Sequence, residues 1–455
     1  MKNLLIGTFL LSLSAASVAN CEKNFPSFDP NFPPPDGFIE RFELSQSYPN
    51  MYSENEDFPW LKVNPFKSPE EYMQVVLAYS LEGNIEVNFR GQLNKIRKWY
   101  HAPWLHDDGR LGANQPRPGN GREYINGLTR ERGTPKLEIH RLQDVELENW
   151  AVGMYNAPGG YTLGKVWCSD NGIPNLDINN ESTKFPEGTV SFKLLFTDGT
   201  IDKVPFLENT LQWDANIYKC NPRRKECQDR VNRKVNLIQI DIAIKDSRAK
   251  KSGWFFGTFV YDASSEGKTV WERMIPVGLS WGNDQTIFTD LNKDGAFINA
   301  DLEETWLNEN LLEHNVRVKN GAYVLYHGVG GRLNGPVDNP ISSCVSCHGQ
   351  AAVTNTGRPM PMADFGALRH NYPMLDFIKY FSNVRPGTYR RFVDGETYVT
   401  TDYSLQLSAG IRNFYELKRQ NETNKSNKAQ LEYLSPLSTE TMDSNKALPN
   451  VTRGE

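Results

Sequence analysis

Two stretches of strict alternation constrain the fold of this chain more than any other feature. In TVSFKLLF, Val190, Phe192, Leu194 and Phe196 fall on one side, and in LIQIDIAI, Ile238, Ile240, Ile242 and Ile244 do the same. Successive side chains of an extended chain point to opposite faces, so each run predicts a strand with one buried face. GWFFGTFVYD and MIPVGLSWG continue the pattern with glycine-rich joints, and the middle third is expected to be an antiparallel sandwich or barrel. The alternate residues, Lys193 among them, read as a solvated face.

At 455 residues the chain exceeds what one compact core usually holds, so a large β-rich unit with a further module is the starting expectation. The first residues, MKNLLIGTFLLSLSAASVANC, give a lysine, an apolar run from Leu4 to Leu13 and then small residues. That order is a secretory signal, with cleavage after Ala19, and it predicts export, to the periplasm. The apolar run is too short to span a bilayer, and no other stretch is a transmembrane candidate. Cys21 in VANC is an alternative acylation site, which would make it a lipid anchor.

Residues 20–149 read as an irregular, Pro-rich lead-in to about 60 followed by a helix at SPEEYMQVVLAY. There Ser68 stands as N-cap, Pro69 in the first turn, and Tyr72, Val75, Val76 and Tyr79 on one face. Residues 150–335 are the β-rich domain, 336–420 a small, partly helical segment, and 421–455 a polar tail. ADLEETWLNENLLEHN, MLDFIKYFSNV and YSLQLSAGIRNFYELK have helical composition. The fold class is α+β, a large sandwich-like β domain followed by the small segment.

Six cysteines are present. Cys220 and Cys227 bracket the turn-like NPRRKE and are expected to staple a hairpin. Cys21 then pairs with Cys168, or Cys21 is lipidated and Cys168 is a buried thiol. The remaining two lie in SSCVSCHGQ, where Cys344 and Cys347 are followed by His348. Two thiols separated by two residues can add across the two vinyl groups on one edge of a haem, and the next residue then presents its imidazole to the iron. Zinc would need two more ligands, and a thioredoxin-like pair would sit at a helix N-terminus in a βαβ setting rather than in a loop.

Through CVSCHG and the methionine-bearing GRPMPM, the chain resembles the c-type cytochromes over about residues 336–420. The resemblance implies one covalent haem c held by Cys344, Cys347 and His348, electron transfer, and a redox partner protein. In such cytochromes a methionine sulfur commonly takes the far side of the iron. Met360, 12 residues beyond His348, is the expected sixth ligand, with Met362 and Met374 as alternatives. FPEGTVSFK, a β-rich stretch, a GW strand and only then CxxCH are also similar to cytochromes whose haem sits in a β-sandwich, the lysine-cross-linked kind and their c-prime-beta relatives. There a lysine bonds to the macrocycle edge, or an aromatic cap leaves the iron open to small ligands. The matching residues are Lys193 or Phe192, and the implied activity is a haem oxidoreductase or gas-binding protein. A β domain binding carbohydrate or a partner, with the haem as accessory, is a third reading.

DLNKDGAFINAD sets Asp290, Asn292 and Asp294 at positions 1, 3 and 5 of a calcium-loop pattern, and an Asx-rich turn is its plain alternative. His101 and His106 in WYHAPWLHDD are polar packing or haem-edge contacts. With 50 Lys and Arg against 55 Asp and Glu and neither sign gathered in a run, nothing grips phosphate, and nucleic acid is not an expected partner. No acid–base or nucleophilic constellation stands out in the first 300 residues.

Overall fold

The computed structural model describes residues 25–53, 57–105, 121–179, 181–289, 298–314, 316–317, 323–324, 326–361 and 374–425. It is a mixed α+β, sheet-rich fold built on one eight-stranded antiparallel sheet. The strands are β1 (Thr129–Arg130), β2 (Asn149–Tyr155), β3 (Val190–Thr197), β4 (Gln212–Tyr218), β5 (Arg230–Lys245), β6 (Trp254–Tyr261), β7 (Met274–Ser280) and β8 (Thr305–Leu307). Their order is β1-β2-β3-β5-β6-β7-β8, with β4 paired to the first half of the long β5. β9 (Val316–Arg317) and β10 (Tyr323–Val324) form a two-stranded ladder, and β11 (Ala352–Val353), β12 (Arg390–Val393) and β13 (Glu396–Thr400) a three-stranded one.

The alternation of β3 and β5 is realised: Val190, Phe192, Leu194, Phe196, Ile238, Ile240, Ile242 and Ile244 are all buried in one core. That face is covered by α1 (Pro69–Leu81), through Tyr72, Met73, Val76 and Leu77. The helix forms where its apolar stripe predicts, although Ser68 makes no side-chain cap. Tyr72 instead donates to Asp246 Oδ2 at 3.0 Å, at the end of β5.

Residues 25–53 are irregular but packed, not a mere lead-in. Phe25, Phe42, Leu44, Tyr48, Phe58 and Trp60 are buried, and Phe42 N donates to Tyr124 O at 2.7 Å. Aromatic residues scattered among prolines fill the core without regular structure. A second expectation also changes. The helical composition of residues 300–315 gives β8 and a 3-10 turn, Glu309–His314, instead. Trp306 and Leu307 pair with Leu279 and Gly278 at the sheet edge, and that pairing overrides helix propensity.

The opposite face of the sheet is where the C-terminal third packs. Tyr155, Trp254, Phe256 and Val260 share a core with Leu333, Val345, Val353, Tyr403, Leu407 and Ile411. α2 (Ala157–Trp167), α3 (Cys344–His348), α4 (Met374–Tyr380) and α5 (Leu405–Lys425) complete the helices used below. Among the described residues, no helix is long and apolar enough to cross a membrane. The signal segment, Cys21, Met362, His106, and the calcium candidates Asp290, Asn292 and Asp294 lie outside the described residues. Cys220 and Cys227 form the expected disulfide, Cα atoms 5.0 Å apart. Cys168 is also disulfide-bonded, which removes the reading of it as a free thiol.

Candidate functional site

Cys344, Val345, Ser346, Cys347 and His348 are not a loop, as the sequence suggests, but the short helix α3. A reciprocal capping box starts it: Ser346 N donates to Ser343 Oγ at 3.1 Å, and Ser343 N to Ser346 Oγ at 3.0 Å. Ser343 Oγ also donates to Asn283 Oδ1 at 2.9 Å, and Cys344 N donates to Leu333 O at 3.0 Å. Fully buried Arg332 holds the preceding turn by donating to Asn283 O and Ile287 O, both at 2.7 Å. Residues three and four apart share a helix face. Cys344, Cys347 and His348 therefore project together, while Val345 and Ser346 are fully buried on the other side.

The shared face opens onto a cleft of about 1220 Å³, counted out to its mouth. Its floor is the second face of the sheet. Register places Gly153, Lys193, Asp241, Thr258 and Gly278 side by side on β2, β3, β5, β6 and β7. The Gln406 amide packs over Gly153 in that row, with Nε2 2.4 Å from where a Cβ would stand. Glu131, Arg132, Asp338, Asn339 and Gln406 add to the polar lining, and Trp254, Phe256 and Tyr403 to its apolar part.

Electrostatics divide the lining in two. Asp241 Oδ1 accepts from Gln239 Nε2 at 2.8 Å and from Thr258 Oγ1 at 2.9 Å. Burial, and next the neighbouring Asp338 carboxylate, push the Asp241 carboxyl up to about 7. Lys193 sits 3.4 Å from Glu131 Oε2. Burial alone would weaken its charge, but the surrounding carboxylates of Glu131, Asp241 and Asp338 more than offset this and hold its ammonium above the ordinary lysine range. Burial pushes the Cys347 thiol up to about 12 and holds the Cys344 thiol well above its ordinary range. A thiolate-dependent redox pair needs the opposite shift. So although Cys344 stands at a helix N-terminus, the environment does not suit thioredoxin-like exchange.

His348 Nδ1 lies 2.8 Å from Tyr403 O, and the ring packs on Phe256 with centroids 4.9 Å apart. Burial lowers the imidazole to about 4. The ring is therefore neutral at physiological pH, with Nδ1–H donating to the carbonyl and Nε2 left as the available donor atom.

These features fit a covalent haem. Both thiols are free, Cys344, Cys347 and His348 line one cleft, and two buried polar atoms in its lining, Asn339 Nδ2 and Gln406 Oε1, have no hydrogen-bond partner. A ligand carrying polar groups would satisfy them.

Met360 is not brought to this site. Thr354 N donates to Arg358 O at 2.8 Å and Met360 N to Ala352 O at 2.9 Å, so the chain that would wrap a ring edge closes into a hairpin. The Met360 side chain is buried against Ala352, Tyr398 and Val393. Met374 is 56% exposed on α4, and among the described residues no methionine lines the cleft. Phe192 belongs to the opposite face, 6.0 Å from Phe89, whereas Lys193 is in the cleft. His101 is buried elsewhere, with Nδ1 accepting from Ser45 N at 3.0 Å. Asp241, Glu131 and Asp338 were not singled out from sequence. The polar alternates of LIQIDIAI were the available signal for Asp241.

Among the described residues no group of three or more His, Cys, Asp or Glu side chains is placed to hold a bare metal ion. Compared with protein-family models, with curated proteins and with solved structures, the chain matches none.

Proposed function

We propose that this chain is an exported haem c protein whose single haem is attached at Cys344 and Cys347, ligated by His348 and seated against the charged face of the sheet. We further propose that the far side of the iron is open to a small ligand, as in a haem oxidoreductase or gas-binding protein, rather than closed by methionine for electron transfer alone. One observation carries this: the cleft that holds Cys344, Cys347 and His348 is lined by Lys193, Asp241, Glu131 and Asp338 and, among the described residues, by no methionine.

When bound, a haem would supply reversible one-electron chemistry and a coordination position. The chain supplies the rest. Tyr403 O orients His348 and fixes its tautomer. Asp241, with both of its donors on Oδ1 and a carboxyl near 7, is suited to hold or release a proton within the cleft. Lys193 carries a fixed positive charge beside it, directly opposite in the strand register. These placements favour the resemblance to β-sandwich cytochromes through Lys193 over the one through Phe192.

The test is the absorption spectrum of the matured protein, ferric and ferrous, with and without carbon monoxide. Ready binding to the ferrous form and a spectrum unaltered by Met360→Ala are expected. A methionine charge-transfer band with no carbon monoxide shift would establish the electron-carrier reading in its place.

A further inference from the structure

The carbonyl that orients His348 belongs to an uncommon piece of backbone. Asp402 and Tyr403 have φ of 47° and 67°, in the left-handed region that residues with a Cβ rarely adopt. Two in succession persist only where surrounding contacts over-determine them. Those contacts converge on Asp402. Its carboxylate accepts from Lys245 Nζ at 2.6 and 2.8 Å, from Trp254 Nε1 at 3.0 Å and from Phe185 N at 3.0 Å.

Lys245 and Trp254 face each other across the β5–β6 ladder, and Phe256, two residues on, holds the His348 ring. Tyr403 is pinned at its far end, its hydroxyl accepting from Val384 N at 3.0 Å and donating to Val384 O at 2.8 Å. The sheet thus grips both the imidazole and the carbonyl that the imidazole donates to.

We propose that the Lys245–Asp402 ion pair, with Trp254, is a positioning device for the iron ligand: it clamps the left-handed turn so that Tyr403 O is aimed at His348 Nδ1–H, and so sets the donor strength of the imidazole. This rests on the haem reading above. A firm Nδ1–H···O bond makes the imidazole more basic and favours ferric iron; loosening it favours ferrous iron.

The test uses the full-length matured protein and three variants, Asp402→Asn, Lys245→Met and Trp254→Phe. The readouts are haem per chain, the ferrous iron–imidazole stretching band and the midpoint potential. All three should keep one covalent haem while the stretching band moves to lower frequency and the potential rises. The shift should be largest for Asp402→Asn, and a Lys245→Met/Asp402→Asn double variant should move no further than Asp402→Asn alone. Trp254→Phe keeps the ring and deletes one donor, so it reports even where a charge variant fails to fold. Variants that melt earlier with band and potential unmoved would overturn the proposal and make the ion pair purely structural. Wild-type protein without covalent haem is a different result, which overturns the haem reading and this inference together.

Discussion

The two faces of the sheet use the same alternation for different ends. On one, Phe192, Leu194, Ile240 and Ile242 meet α1 in an apolar core. On the other, their immediate neighbours Ser191, Lys193, Asp241 and Ala243 line a cleft beneath α3. Alternation alone would assign that second row to solvent. The difference teaches that a charged alternate face is a solvated face only if nothing later in the chain covers it. Here residues 333–353 and α5 do, leaving Lys193 with a side chain 24% exposed and beside three carboxylates.

Adjacent residues on β3 give the widest separation between the faces. Phe192→Ala removes a fully buried ring packed on Phe89 and Trp99 and should cost about 3–5 kcal/mol in denaturant unfolding. Lys193→Met should cost only about 1–2 kcal/mol, because Asp241 can take a proton in its place, yet should change ligand binding by the matured protein. Equal stability losses, or unchanged ligand binding in Lys193→Met, would break the distinction.

The second prediction concerns His348 in the haem-free chain. The folded state holds the imidazole neutral down to about 4, whereas the unfolded chain takes up a proton near 6.5. Between those values the unfolded state binds more protons. The contribution is therefore complete above 6.5 and lost as pH falls towards 4, by about 3 kcal/mol at most. His348→Asn should flatten that part of the stability–pH curve relative to wild type. Parallel curves would show that the ring is not buried as described.

Met360→Ala should cost about 2 kcal/mol in stability, at the low end for a buried methionine, and should leave the haem spectrum unchanged. A change in the spectrum would return Met360 to the iron.

Much of the fold was legible. The core strands followed from period-two patterns, α1 from its stripe, and the hairpin disulfide from the spacing of Cys220 and Cys227. The grouping of Cys344, Cys347 and His348 on one face was legible too, because the motif is compressed into five residues. What surrounds it was not. Lys193, Asp241 and Thr258 are separated by tens of residues and meet only through the registers of β3, β5 and β6. Met360 lies away from the cleft because a count of residues gives reach but not path: a hairpin at residues 354–358 consumes the chain that the count made available. Trp306 and Leu307 joined the sheet because an unpaired edge at β7 outweighs local propensity.

The measurement that reaches the central claim most directly is the intact mass of the full chain produced in cells able to attach haem, alongside the Cys344→Ser/Cys347→Ser double variant. The account predicts polypeptide plus one haem for the wild type and bare polypeptide for the variant. Bare wild-type polypeptide, or a variant that still carries covalent haem, would contradict it.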